Sequence, residues 1–405
     1  MGALSHIRVL DLSRVLAGPW ATQILGDLGA EIIKIEKPGE GDETRHFGPP
    51  FISDAAGNKG DAAYFLSANR NKKSVTIDLA KPDGAALVKR LARRAHVVVE
   101  NFKTGTLAKY GLDYASLAAE NPALIYCSLT GFGHDGPYKD KAGYDYLVQG
   151  MAGLMSITGQ ADGTPGAEPM KVGVAVSDLF TGLYTAIAIQ AAIIHQSRTG
   201  EGQQIDMALF DCQTAALANQ AMNYLAGSTV PRRLGNAHPN IVPYQVFATA
   251  DGFLILAVAN DGQFRRFAKA AGAPHLAEDP RFKTNADRVG NREALVAQLK
   301  PLFTEHTTGS WITILEAANV PCGPINRIDQ VFSDPQASAR DLKITVPHSM
   351  AGPLELVASP LRLEKTPPEY RLAPPLLGEH TSEILKGALG LDDSAIMTLK
   401  NARVI

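Results

Sequence analysis

Asp178 is the side chain of this sequence best placed for covalent chemistry. It stands in KVGVAVSDLFTGLYTAIAIQAAII (171–194), between a short, strand-like apolar run and a mostly apolar helix. Ser177 and Asp178 are residue types favoured at helix starts, so a capping role alone would account for both. A carboxylate at a helix start also meets a favourable dipole and amide N–H groups, which would keep it ionised and fixed in direction. Such a carboxylate can act as a nucleophile. On these residues alone both roles stay open.

Other chemistry is harder to build. Basic residues gather at Lys34, Lys37 and Arg45, at Arg70, Lys72 and Lys73, and at Lys103 and Lys109, and each group is compatible with a solvated face. In a doubly wound sheet, however, residues just past the strands' carboxyl ends converge on one crevice, and Lys37, Asn101, Phe102 and Lys103 hold that position. Point charges with one aromatic ring suit a phosphorylated nucleotide whose adenine stacks. The dinucleotide fingerprint is missing, because the glycines of LAGPWATQILGDLGAEIIKIE fall at 18, 26 and 29 with no Gly-x-Gly pair. The ten histidines show no ligand spacing, so no metal is expected. Ser156 in GLMSITG lacks the nucleophile elbow of α/β-hydrolases.

The elements that must position these residues read as an α/β pattern. IRVLDL (7–12), EIIKIE (31–36), SVTIDL (74–79), HVVVENF (96–102) and ALIYCSLTGF (123–132) are strand-like. They alternate with helical stretches from about Trp20 and over 84–95, which predicts a doubly wound parallel sheet. A long apolar helix follows Asp178 and ends at the Thr199–Gly202 turn. From about Gly227 the character changes. YQVFATADGFLILAVAN (244–260) predicts a hairpin through Asp251–Gly252, followed by helices around 261–272, 288–305 and 309–319. A Pro-rich stretch (353–375) precedes a last helix near 381–389.

With 405 residues the chain exceeds what one core supports, so two domains are expected. The predicted division is a large α/β domain over 1–220, completed by 330–405, and a small α+β domain over 227–325, with 326–405 returning to the large one. Lys plus Arg number 39 against 41 for Asp plus Glu, giving no sign of a nucleic-acid or membrane partner. Three scattered cysteines form neither a disulfide framework nor a Cys-x-x-Cys site, which fits a reducing cytoplasm. The N-terminus lacks a signal-peptide pattern, and the apolar run after Asp178 is broken by Gln190 and His195.

Several segments, taken in order, resemble the class III CoA-transferase family, also called the CaiB/BaiF family. They include LAGPWATQILGDLGAEIIKIEKPGEGDETR (16–45), NRNKKSVTIDL (69–79), VVENFKTGTLAKYGL (98–112) and GYDYLVQGMAGLMSITG (143–159). VAVSDLFTGLY (174–184), RTGEGQQIDMALFD (198–211), VPCGPI (320–325) and LLGEHTSEIL (376–385) continue the series. The resemblance implies a Rossmann-like large domain, a small domain and an interlocked homodimer. It makes Asp178 the nucleophile and CoA a substrate, with no permanently bound cofactor. The family's CoA contacts carry over onto Leu16, Ala17, Lys37, Ile77, Asp78, Asn101, Phe102, Lys103, Lys109, Tyr144 and Asp145.

The implied reaction passes CoA from an acyl-CoA to a carboxylic acid through an aspartyl-CoA thioester. Formyl-CoA:oxalate members typically carry glutamine where this chain has Leu16, and a glycine run over the site that is missing here. The stretch RLGNAHPNIVPYQVFATADG (233–252) instead looks like members using succinyl-CoA and dicarboxylates. An α-methylacyl-CoA racemase would need a histidine where this chain has Tyr144, and a phenol of pKa about 10 is a poor substitute. A noncatalytic acyl-CoA-binding protein, in which Asp178 only caps its helix, is the alternative from another class.

Overall fold

A computed structural model describes residues 2–405. The chain clusters into two compact units. The first comprises the residues through Ala152, Gly173–Ala216 and Pro335–Ile405, and the second Gly153–Val172 and Leu217–Asp334. Residues 153–172, 217–220 and 326–334, assigned from sequence to the large domain, cluster with the second unit.

The first unit contains β1 (Arg8–Asp11), β2 (Glu31–Glu36), β3 (Phe51–Ser53), β4 (Lys59–Ala62), β5 (Lys72–Thr76), β6 (Val97–Glu100), β7 (Ile125–Thr130) and β8 (Gln204–Ala208). β3 and β4 form an antiparallel pair. The other six make one sheet in the order β5-β2-β1-β6-β7-β8, with every neighbouring pair parallel. Counted among themselves along the chain they run 3-2-1-4-5-6, the order of doubly wound nucleotide-binding sheets, and the order reverses between β1 and β6.

Both faces of the sheet are covered, which is why its strands read as nearly unbroken apolar runs. Successive side chains point to opposite faces. Val9, Ile32, Val97, Val99 and Ile125 pack with Leu25, Ile189 and Ile193 on one side. Leu10, Ile33, Val75, Val98 and Tyr126 pack with Leu87, Leu91, Ile384 and Leu385 on the other.

Up to Ala215 the helices are α1 (Ala17–Asp27), α2 (Ala63–Ser67), α3 (Pro82–Ala92), α4 (Tyr114–Ala118), α5 (Asp145–Met151), α6 (Leu154–Ile157), α7 (Val176–Thr199) and α8 (Leu209–Ala215), of which α6 belongs to the second unit. α1 and α7 meet at Gly182, where a Cβ would lie 2.8 Å from the Ala17 carbonyl and 3.0 Å from the Trp20 ring. α7 is long and apolar enough to cross a membrane by length and composition, and 44% of its most apolar window is buried within the protein.

The second unit holds an antiparallel sheet of β9 (Tyr244–Ala248), β10 (Phe253–Ala257) and β11 (Cys322–Pro324), in the order β11-β10-β9. Its core is aromatic, with the Phe247 and Phe303 rings stacked at 4.4 Å. The fully buried Arg288 donates to the carbonyls of Val242 at 2.7 Å and Phe282 at 3.0 Å, and to Asp261 at 2.8 Å.

Four local expectations need correction. β5 starts at Lys72, two residues before the predicted SVTIDL, because buried Lys72 hides the strand's apolar signature. The run 171–176 before Asp178 forms no strand. Gln204–Ala208, unanticipated, is the sheet's exposed edge, where polar residues alternate with apolar ones. The stretch around the prolines folds into an antiparallel pair, β12 (Lys343–His348) and β13 (Gly352–Val357), and a helix at Asp393–Asn401 follows the one at Thr381–Leu389.

Candidate active site

A buried ionic frame lies under the loop joining β1 to α1. Lys34 Nζ donates to Asp42 Oδ2 at 2.9 Å and to the Ser13 carbonyl at 2.8 Å. Lys72 Nζ donates to Asp11 Oδ2 at 3.2 Å, the Pro19 carbonyl at 2.9 Å and Asn69 Oδ1 at 3.0 Å. Asp11 also accepts from the Ser13 hydroxyl at 2.5 Å and the Thr22 hydroxyl at 2.6 Å. Charges this deep are tolerated because each is paired and hydrogen-bonded. Burial alone would raise the Asp42 carboxyl, but the Lys34 ammonium and Thr44 overcome it and hold the group at about 2. For Lys72 burial outweighs Asp11, and the ammonium is pulled down to about 8.

Two more pairs extend the frame. Arg45 grips Glu36 with two bonds of 2.8 and 2.7 Å, and Arg70 grips Asp27 with two of 2.8 and 2.5 Å. Lys34, Arg45, Arg70 and Lys72 are therefore internal structure, not the solvated or ligand-facing charges that the sequence suggested.

The frame fixes a strained turn. Val15 has φ of 69°, a region that β-branched residues rarely enter and that costs on the order of 1–3 kcal/mol. Its N–H donates to Asp42 Oδ1 at 3.2 Å. The preceding residue is clamped by Asn101, whose Oδ1 accepts from Arg14 N–H at 2.9 Å and whose Nδ2 donates to the Arg14 carbonyl at 2.7 Å. Gly18 completes the turn, since a Cβ there would sit 2.3 Å from the Ser13 hydroxyl.

Over this turn, at the carboxyl ends of β1, β6 and β7, opens a cleft of about 380 Å3. It occupies the point where the strand order reverses, the position from which open α/β sheets bind their ligands. Arg14 to Ala17 form one lip and Asn101 to Thr104 the other. Buried Glu100 holds the second lip, accepting from Phe102 N–H at 2.8 Å and from the Ser128 hydroxyl at 2.5 Å. The Arg14 guanidinium lies 5.0 Å from the Phe102 ring centroid and pairs with Glu43. α1 carries no side-chain cap, so its first N–H groups, beside Leu16 and Ala17, are available to an anion.

The rear wall is made by two glycines. A Cβ on Gly131, just past β7, would lie 2.4 Å from Gly143 Cα, so backbone rests on backbone. That contact seats Tyr144 and Asp145 at the cleft. Asp145 Oδ1 accepts from Ser177 N–H at 2.8 Å and Asp178 N–H at 3.3 Å, while Oδ2 accepts from Gln149 at 2.7 Å.

The cap of α7 is thus supplied by Asp145, from another helix. Asp178 is the third residue of α7, which begins at Val176 without a side-chain cap from Ala175. Its side chain faces the cleft. The sequence-based expectation that the helix start keeps this carboxyl ionised fails. Burial, helped by the charge of Asp145, pushes it up to about 7. The same two carboxylates, after burial, raise the Tyr64 phenol.

Of the residues expected from sequence, the cleft gathers Asp178, Leu16, Ala17, Asn101, Phe102, Lys103, Tyr144 and Asp145. The other four lie outside its lining. Lys37 follows β2 and pairs with Glu40 at 2.6 Å, Lys109 is exposed in the turn Leu107–Tyr110, and Ile77 is a core residue 1% exposed. Asp78 N–H donates to the Val404 carbonyl at 2.8 Å, and its charge bears on Lys37. Sequence reasoning missed Arg14, Glu43, Phe47, Thr104, Lys139 and Lys141, all of which line the cleft. Arg14 stands just past a predicted strand and was findable by that rule, whereas Lys139 and Lys141 sit in a loop without a local signal. Among the described residues no group of three or more His, Cys, Asp or Glu could hold a metal ion.

Comparison with known proteins places this cleft in a wider context. The family model for CoA-transferase family III matches residues 4–381. The succinate–glutarate CoA-transferase of Agrobacterium fabrum is 53% identical over 382 residues, 94% of each chain. The succinyl-CoA:glutarate CoA-transferase of Mus musculus is 43% identical over 405 residues, covering 100% of this chain and 91% of the relative. The crystal structure of a CAIB/BAIF family protein from Brucella suis matches with a TM-score of 0.83 at 49% identity, over 96% of this chain and 99% of that one. Family model, relatives and fold each span nearly the whole sequence, so the chain belongs to CoA-transferase family III and is an enzyme of CoA transfer between an acyl-CoA and an acid.

Proposed function

We propose that the enzyme moves CoA from an acyl-CoA, with succinyl-CoA the preferred donor, to a free dicarboxylic acid such as glutarate through a covalent intermediate on Asp178. The observation that carries this is Asp178 itself, a carboxyl at about 7 facing the cleft at the strand-order reversal. Raised basicity makes its ionised form a stronger nucleophile than an ordinary carboxylate, although only about half is ionised at pH 7.

In the proposed sequence the Asp178 carboxylate attacks the thioester carbonyl and expels CoA thiolate, leaving a mixed anhydride. The thiolate attacks the Asp178 carbonyl, which releases the first acid and leaves an aspartyl-CoA thioester. The incoming carboxylate attacks this thioester, expelling the thiolate again and forming a second anhydride. Thiolate attack on the acyl carbonyl then yields the new acyl-CoA and restores Asp178. One thioester replaces another, so positioning and exclusion of water are what the protein must supply. The Ser177 and Asp178 N–H groups are engaged by Asp145, so the uncapped first turn of α1 is the proposed source of donors to developing oxyanions.

CoA binding is assigned to the cleft lips, with the Phe102 ring for the adenine and Lys103, Lys139 and Lys141 for phosphates. Lys37 and Lys109 are proposed as outlying charges that steer the anion. A homodimer, interlocked as in the family, is also proposed. Leu183, Ile187 and Ile194 leave an exposed apolar stripe along α7, which a second chain would cover.

Trapping tests the central step. Protein incubated with succinyl-CoA and then hydroxylamine is expected to carry a hydroxamate on the peptide containing Asp178. A label on a different carboxylate would refute the assignment.

A further inference from the structure

The second unit contains a separate pocket of about 740 Å3, bounded by the helix Ala218–Leu225, the loop that follows it and the start of the helix Arg292–Phe303. Two arginines, Arg232 and Arg292, line it, and no Asp or Glu does. Elsewhere in this unit Arg233, Arg281, Arg288 and Arg327 each pair with an aspartate.

Arg292 is held in place but left incomplete. Its Nη2 donates to the carbonyls of His238 and Pro239, both at 2.8 Å, while its Nη1 is buried with no partner. Burial, and then the like charge of Arg232, pull the Arg292 guanidinium below its ordinary value. An unfilled buried donor beside a second guanidinium is a costly arrangement that an oxyanion would relieve.

The remaining walls narrow the choice of anion. Val230, Leu234 and Val289 are apolar parts of its lining. The amides of Asn223 and Asn240 are engaged with each other, through bonds of 3.2 Å in both directions. A cationic end with an aliphatic wall suits a short-chain carboxylate better than a polyphosphate.

We propose that this pocket binds the carboxylate of a small dicarboxylic acid, with Arg292 and Arg232 grasping the oxyanion and Val230, Leu234 and Val289 taking the hydrocarbon chain. The function proposed above enters only in the choice of a dicarboxylate as the acid. The phosphates of CoA are the competing source of the same anion chemistry.

Calorimetric titration of the full chain with glutarate, inorganic phosphate and CoA separates these cases. Arg232→Ala removes an exposed, unpaired side chain and is expected to fold, with thermal unfolding as the check. It should weaken glutarate by roughly tenfold while CoA affinity stays within about twofold. Arg292→Lys keeps the charge but loses the fork, and should weaken glutarate by a similar factor. Asp178→Asn should retain glutarate binding whether or not transfer survives, so a failure of the proposed reaction is read separately from a failure of this site. Unchanged glutarate affinity in Arg232→Ala, no glutarate binding by the wild type, or a loss confined to phosphate and CoA would each overturn the proposal.

Discussion

Asp42 is buried and Asp178 half-buried at the cleft in the same unit, yet one is held at about 2 and the other pushed up to about 7. Burial acts on both in the same direction. The difference is company, because Asp42 faces the Lys34 ammonium and Asp178 faces another carboxylate, Asp145. Where a buried acid has its cation, the chain has built scaffold. Where the cation is withheld, as at Asp178, the carboxyl keeps the raised basicity on which its proposed role rests.

Removing the uncompensated acid should have the largest effect. Asp178→Asn is expected to lower CoA transfer by about a thousandfold or more, since an amide cannot form the anhydride. The same change should stabilise the fold. With its folded pKa raised, Asp178 binds a proton more tightly folded than unfolded, so its favourable contribution is complete below about pH 4 and lost as pH rises through about 7. At pH 8 the asparagine variant should therefore be more stable in urea by roughly 2–4 kcal/mol. Equal or lower stability would show that Asp178 is not strained by its surroundings.

Disturbing the compensated region should have the opposite sign. Lys34→Met leaves Asp42 buried and unpaired and should cost about 3–5 kcal/mol, and adding Asp42→Asn should recover part of it. Acid tests the same pair. The lowered carboxyl of Asp42 contributes stability above about pH 4 that is lost as pH falls towards 2.

A smaller effect is expected from Asp145→Asn, which keeps the oxygen that caps α7 but removes the charge raising Asp178. In the wild type kcat/KM should rise with pH to a plateau above an inflection near 7, and the variant should move that inflection to lower pH. An unmoved inflection would assign it to another group. Smallest of all, Lys103→Ala should raise KM for acyl-CoA several-fold, and Lys37→Ala by less, with both effects fading at high salt. The reverse order would place the CoA phosphates outside the cleft.

Much of the fold was legible because a sheet covered on both faces demands apolar runs, and EIIKIE and HVVVENF announce themselves. Lys72 and Lys34 were not legible as internal residues, because the partners that make their burial possible, Asp11 for Lys72 and Asp42 with the Ser13 carbonyl for Lys34, are brought to them only by the fold. Asp178 was singled out from sequence and does line the cleft, but the electrostatics expected for it were wrong. Its neighbour Asp145 lies 33 residues away, and no local rule foretells that one acid will cap the helix carrying the other. Arg292 was hidden for the same reason, since its incompleteness exists only once the chain has folded around it.

The contact between Gly131 and Gly143 limits how this enzyme can change its diet. Main chain meets main chain there, so no side chain on that wall can be trimmed to make room for a bulkier acyl group. Any larger residue at either position would instead lift Tyr144 and Asp145 off the sheet and uncap α7. If the acyl group sits in this cleft as proposed, room for a larger one has to come from side chains elsewhere on its lining, such as Leu209 and Phe47.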